Sequence, residues 1–270
     1  MKETVSILGC GWLGLALAEK LLTKGYIVKG TLRNPLHLQG LRTKGIDAYI
    51  LDLEANDPDI ELFDNLLSAG LLLISIPPKG DSSYWEQFVP LLDRLKTRPY
   101  PPKVIFLSST SVYGGTGIID ESAMEFSIRE NPIQLLKAEH IFQEYLPKRS
   151  VVLRLAGLAG PNRNPGNFLA GKKNVPNPKA GVNFIHQKDV VEILIQLISG
   201  KWHAGIFNLS APLHPSRKEF YTHFSEQLEL PIPTFKLEEK ETVQKIISSQ
   251  KLITELGYSF YYENPMNFEF

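Results

Sequence analysis

Apolar and polar positions fall into blocks along the first half of the chain. Residues 4–8 form a short β-rich run, and residues 13–23 are apolar on most of their surface and stop at Gly25. Residues 26–32 and 47–51 read as strands. Residues 71–76 are an unbroken apolar run closed by Pro77 and Pro78, and residues 104–107 are another. Residues 86–95 and 132–145 have the length and spacing of helices. Strands alternating with helices predict a parallel sheet covered on both faces. Apolar runs without alternation fit strands buried on both sides.

The second half is patterned differently. Residues 151–155 give one more buried strand. Residues 160–181 are dense in Pro and Asn and are expected to be mostly loop. Residues 189–199 fit a helix and residues 206–209 a strand. Residues 216–228 open with Ser216 and, three residues on, Glu219, which is a capping-box pattern. Residues 249–256 end at Gly257, a helix stop. The aromatic tail, 258–270, is expected to pack on the body.

Composition then removes several classes. The chain has 270 residues, with 29 Lys+Arg against 29 Asp+Glu. That balance gives no electrostatic footprint for nucleic acid or an anionic membrane. A single cysteine, Cys10, can make neither an internal disulfide nor a zinc site, and no metal is expected. No apolar run approaches the roughly 20 residues of a spanning helix. A strand so near Met1 leaves no room for a signal peptide. The expectation is a soluble, cytoplasmic protein.

Gly9-Cys10-Gly11-Trp12-Leu13-Gly14 is a G-x-G-x-x-G sequence that follows a strand and opens a helix. Gly9 allows the tight turn, Gly11 lets backbone approach a pyrophosphate, and Gly14 lets the helix pack on the strand. The helix N-terminus offers N–H groups and a positive dipole end to phosphates. This context predicts dinucleotide binding, with Trp12 and Leu13 at the first helical turn. Cys10 reads as a small packing residue.

The fold expected is therefore α/β, a Rossmann-type doubly wound parallel sheet with a small C-terminal substrate lobe. Residues 1–160, with 182–212 returning, would form the NAD(P)-binding domain. Residues 161–181 and 213–270 would form the lobe. The second strand ends at Arg33, where an NAD-specific site places Asp or Glu to receive the ribose 2′-OH. A guanidinium instead binds a 2′-phosphate in a charge-assisted fork. NADP(H) is thus favoured over NAD(H), with His37 or Arg42 as a nearby cation. Asp52 and Leu53 would lie against the adenine, and Pro77 on the cofactor's ribose side.

Beyond these motifs the sequence resembles the extended short-chain dehydrogenase/reductase superfamily (SDR), in its nucleotide-sugar epimerase/dehydratase branch. The resemblance runs through Ser108-Ser109-Thr110-Ser111-Val112-Tyr113-Gly114 and Asp120-Glu121-Ser122. It continues through Val152-Leu153-Arg154-Leu155-Ala156-Gly157 with Gly160-Pro161-Asn162-Arg163. It ends with Asn183-Phe184-Ile185-His186 and Asp189, and with Ile206-Phe207-Asn208-Leu209. The resemblance implies catalysis by a Tyr-x-x-x-Lys pair on one helix, with a Ser on the fifth strand. Lys137 and Ser109 match, and Asn131 and Pro132 would start that helix. The Tyr position holds Ile133, which cannot donate a proton. The family's usual G-x-x-G-x-x-G is also replaced. Both departures resemble the atypical subgroup, which keeps the cofactor and often lacks the tyrosine.

Tyr113, His140, His186 and Glu121 are the candidates to replace the missing acid, and each also has a plain structural reading. Arg163, Lys172 and Arg217, with Lys173, would bind an acidic small-molecule substrate such as a nucleotide-sugar. Asn162, Asn164, Asn167 and Asn174 would read sugar hydroxyls or simply make turns. The resemblance implies a homodimer. Two readings lead, beside a third in which a structural α/β protein keeps an empty site. One is an oxidoreductase or epimerase/dehydratase-like enzyme using NADP(H). The other is a non-catalytic NADP(H)-binding sensor or partner-binding module.

Overall fold

The protein is described by a computed structural model covering residues 2–54, 59–78, 83–237 and 244–270. In chain order the strands are β1 (Thr4–Leu8), β2 (Ile27–Leu32), β3 (Asp47–Ile50), β4 (Leu71–Ile74), β5 (Lys103–Ser109), β6 (Gly117–Ile119), β7 (Ser150–Leu155), β8 (Gly157–Ala159), β9 (Phe184–His186), β10 (Gly205–Leu209) and β11 (Lys245–Ile247). The α-helices are α1 (Trp12–Thr23), α2 (Leu38–Thr43), α3 (Ile60–Leu67), α4 (Val89–Lys96), α5 (Glu130–Tyr145), α6 (Gly166–Leu169), α7 (Gln187–Ile198), α8 (Arg217–Gln227) and α9 (Gln250–Leu256).

Seven strands form one parallel sheet in the order β10-β7-β5-β4-β1-β2-β3. β1 pairs in parallel with both β2 and β4, β2 with β3, and β4 with β5. The order reverses beside β1, as in a doubly wound sheet, and ligands bind such sheets at the carboxyl ends of strands near that reversal. The expected strands lack polar alternation because both faces are covered: all four residues of β4 and all six of β7 are buried.

The chain divides into two compact units. The first is Met1–Val112, Ile128–Leu153 and Leu194–Ile206; the second is Tyr113–Ser127, Arg154–Ile193 and Phe207–Phe270. This differs from the expected boundaries, and local pairing explains why. β6, in segment 113–127, pairs in parallel with β11, and β9 pairs with β8. The β6–β11 pairing ties a segment expected in the nucleotide domain to the expected lobe, and β8 and β9, also expected in that domain, pair with each other inside the second unit, so the second unit is not small. In the first unit, Phe88 packs edge-on against Tyr84, Phe106 and Phe142 at centroid distances of 5.3, 6.0 and 5.5 Å. In the second, Phe184, Phe220, Phe224, Tyr262 and Phe268 form a buried cluster. The expected packing of the aromatic tail is seen there.

Helix boundaries correct several expectations. α5 begins at Glu130 with Arg129 as N-cap, so Asn131 lies inside the helix and does not cap it. Pro132 is still accommodated, because the first-turn N–H groups need no intrahelical partner. Ser216 and Glu219 form the capping box as expected, and Gly257 closes α9 with φ 59°. α2 and α3 have no counterpart in the sequence pattern: they are six and eight residues long, too short for a clear period. Among the described residues no helix is long and apolar enough to cross a membrane.

Candidate functional site

The glycine loop is set by what its residues cannot carry. Gly9 has φ +95°, and a Cβ there would lie 2.6 Å from the Ser75 carbonyl oxygen. A Cβ on Gly14 would strike the Gly9 carbonyl oxygen. Gly11 is different. Its φ is −78°, open to any residue, and a Cβ there would meet nothing within 4 Å. The protein's own packing therefore gives no reason for glycine at this position. The space beside it is what a close-approaching pyrophosphate needs. Gly11 is also the N-cap of α1 and gives that helix no capping side chain, and the first turn holds no acidic residue. The residues present thus fit a dinucleotide phosphate.

Thr31 holds this loop from β2. Its hydroxyl accepts from the Gly9 N–H at 3.1 Å, and its carbonyl accepts from the Cys10 N–H at 2.7 Å. Cys10 packs over Gly30, where an added Cβ would sit 2.5 Å from its Sγ. Burial pushes the Cys10 thiol up to about 12. Its reading as a packing residue fits this environment.

A cavity of about 560 Å³ opens at these strand ends, within the first unit. Small-molecule sites commonly enclose about 300–1,000 Å³. Gly9, Cys10, Gly11, Arg33, Asp52, Leu53 and Pro77 line it, as do His37, Lys44, Glu54, Ser75, Ile76, Tyr84 and Gln87. Eight of the lining positions, His37 among them, were thus named from sequence. Leu13 and Gly14 are instead buried beneath the loop, and neither they nor Trp12 lines the cavity among the described residues. Arg42 also departs from expectation: its guanidinium donates to the Ala48 carbonyl at 3.0 and 3.3 Å.

Tyr84 and Glu54 were missed. Tyr84 donates from its hydroxyl to the Ile76 carbonyl at 2.6 Å, and burial raises its pKa. Nothing in its sequence context announces this. Glu54 stands two residues beyond Asp52, and its carboxylate lies 3.4 Å from Arg33 Nη1.

The expected catalytic residues stand on β5, on α5 and in the second unit. Ser109 ends β5, and its hydroxyl accepts from the Ser111 N–H at 3.1 Å. Lys137 is exposed on α5, with Nζ 5.9 Å from the Trp85 ring centroid. Ile133 is half-buried on the same helix. Neither Ser109 nor Lys137 is among the described lining of the cavity. Just inside α5, Ser108 donates to Glu139 at 2.5 Å, a buried tie between strand and helix.

Tyr113 belongs to the second unit and is buried, with its hydroxyl donating to Asn208 Oδ1 at 2.8 Å. Arg154 lies over its ring at 4.8 Å, and burial raises its pKa. This environment fits the plain packing reading of Tyr113. Glu121 accepts from the Asn208 N–H at 2.6 Å, and burial raises its pKa as well. His140 is exposed and pairs loosely with Glu144 at 3.4 Å.

The His186 and Asp189 element anchors the tail. His186 Nδ1 accepts from the Lys188 N–H at 3.2 Å, so Nε2 carries the proton toward the Glu269 carbonyl, 2.8 Å away. Asp189 accepts from the Tyr258 hydroxyl at 2.8 Å and from the N–H groups of Tyr261 and Tyr262 at 2.7 and 3.2 Å.

The expected substrate cations do not gather in a described pocket. Arg217 donates to the Pro176 carbonyl at 3.4 Å, and Arg163 and Lys172 are exposed. An open groove of about 980 Å³ in this unit is lined instead by Lys179, Lys218, His223, Glu226 and Lys236. Asn162 and Asn174 hold φ of 61° and 56°, and Asn164 Oδ1 accepts from the Gly166 N–H at 2.9 Å. These asparagines make turns.

No protein-family model matches the chain. The protein YeeZ of Escherichia coli K12 is 35% identical over 271 residues, covering 98% of both chains. The chain belongs to the YeeZ family. Among solved structures it resembles a conserved protein of unknown function from Silicibacter pomeroyi, with a TM-score of 0.80, 23% identity and coverage of 98% and 96%. It also resembles the UDP-N-acetylglucosamine 4-epimerase of Bacillus cereus, at 0.78, 17%, 98% and 97%. The UDP-glucuronic acid 4-epimerase of the same organism, solved in complex with NAD, follows at 0.77, 17%, 98% and 95%. These likenesses establish the fold of the NAD-dependent epimerase/dehydratases, as the sequence resemblance implied.

Proposed function

We propose that the protein binds NADP(H) in the cavity beside Gly11 and acts as an oxidoreductase or nucleotide-sugar epimerase/dehydratase-like enzyme. The observation that carries the reading is Gly11 itself, a glycine that faces open space where a phosphate backbone would pass. Thr31 holds the loop in that shape, α1 presents its N-terminus, and Arg33 stands at the adenosine end. The bound nicotinamide would supply hydride chemistry. The chain would supply binding and orientation, with Ser109 and Lys137 as the residues the family uses near the reacting carbons. Solved relatives of the fold were captured with NAD and with UDP-glucose, which supports a nicotinamide cofactor and a small sugar-nucleotide substrate.

Ile133 favours a second reading, in which the protein holds the dinucleotide without turnover. Loss of a positioned acid typically costs about 10²–10⁴-fold in rate. Titrating NADPH and NADH into the purified protein tests the common part; absence of binding at millimolar concentration would end both readings. Turnover of a sugar nucleotide by wild type, lost in Lys137→Ala, would establish the enzyme. Turnover gained only in Ile133→Tyr would establish the binder.

A further inference from the structure

Arg33 and Glu54 reach the adenosine end of the cavity from adjacent strands. β2 and β3 are paired so that Leu32 stands opposite Ile50, which carries the residues just beyond them to one corner. There Arg33 Nη1 lies 3.4 Å from Glu54 Oε2, with the two side chains 43% and 48% exposed. The Glu54 N–H donates to Asp52 Oδ1 at 3.2 Å, which turns the chain so that both carboxylates line the same cavity. The other cations of this corner are engaged differently. Lys44 pairs with Glu19, and Arg42 donates to the Ala48 carbonyl.

We propose that Glu54 sets the choice between NADP(H) and NAD(H), by competing with a 2′-phosphate for Arg33 and by receiving the 2′-hydroxyl when the phosphate is absent. The inference rests on the reading of this cavity as a dinucleotide site. An exposed ion pair is weak and screened by salt. A phosphate dianion offers a guanidinium a stronger, forked contact, so it displaces the carboxylate. The displaced Glu54 then stays beside a like charge, which limits the gain. With NAD(H) the same carboxylate accepts from the ribose hydroxyl, as acidic residues do in NAD-specific sites. The site therefore takes both dinucleotides, with NADPH ahead by a modest factor.

The test is to measure Kd for NADPH, NADH, 2′,5′-ADP and 5′-AMP by fluorescence or calorimetry on wild type, Glu54→Gln and Arg33→Gln. Glu54→Gln should tighten NADPH and 2′,5′-ADP by about three- to tenfold, the size of one like-charge contact in a wet site. It should weaken NADH by a similar factor, so the two affinities move in opposite directions. Arg33→Gln should bring NADPH below NADH, because Glu54 then still repels the 2′-phosphate and still receives the 2′-hydroxyl. Equal shifts for both dinucleotides, or none, in a Glu54→Gln protein that still binds them would overturn the proposal. Wild type that binds neither would remove the dinucleotide reading itself, and the proposal with it.

Discussion

The glycine loop and the His186–Asp189 element are both family motifs, yet they are built to opposite ends. In the first unit the loop is shaped by absent side chains. Two glycines are forced by contact with backbone, and the third, Gly11, faces space that the protein does not fill. In the second unit the polar motif residues are saturated. Asp189 holds three donors from the tail, and Tyr113 and Glu121 both terminate on Asn208. A buried polar group that has all its partners stabilises a fold and has little left for a ligand. A motif therefore points to chemistry only where its groups are left open.

Four measurements would break or sharpen this contrast. The largest effect is expected from Gly9→Ala, which combines a left-handed φ with a backbone collision. A loss of about 3 kcal/mol, or a Tm lower by roughly 10 °C, is expected by calorimetry. A wild-type melt would mean the loop is looser than described. Gly11→Ala should leave Tm within about 1 °C and weaken dinucleotide binding by about tenfold or more. Unchanged affinity would show that the open space serves no phosphate. Tyr113→Phe should cost about 1 kcal/mol, because Asn208 loses a buried donor, with dinucleotide Kd unaltered. Weakened binding at unchanged Tm would return Tyr113 to the site.

The smallest effect concerns pH. Burial holds both His186 and His214 below the usual 6.5. The unfolded chain then binds more protons than the folded one between the folded values and 6.5. Stability is lost as pH falls through that window and levels off below it. Tm should drop between about pH 7.5 and 5.5, and less so in His186→Asn. Asp189 and Glu121, raised by burial, act with the opposite sign at the acidic end. A rising Tm over that range would mean these carboxyls dominate.

Much of the sheet was legible because its strands are covered on both sides and so read as plain apolar runs. The glycine loop was legible because its spacing has a geometric reason at each position. What escaped depended on pairing at a distance. Glu54 meets Arg33 across 21 residues only because β3 lies beside β2. Tyr113 meets Asn208 across 95 residues, so its phenol could not be told from a proton donor beforehand. Segment 113–127 joined the second unit through β6 and β11, three residues each and too short to announce themselves. Cations scattered through a loop gave no sign of whether they converge, and Arg217 turned to a backbone carbonyl.

The lone thiol gives the molecule a built-in reporter. Cys10 is the chain's one cysteine, packed over Gly30 in the turn that would clasp a pyrophosphate. Its sulfur is mostly covered but borders the cavity, and burial keeps it from ionising, so a thiol-specific dye should label it slowly. A ligand seated on the loop should slow that labelling further, in step with its occupancy.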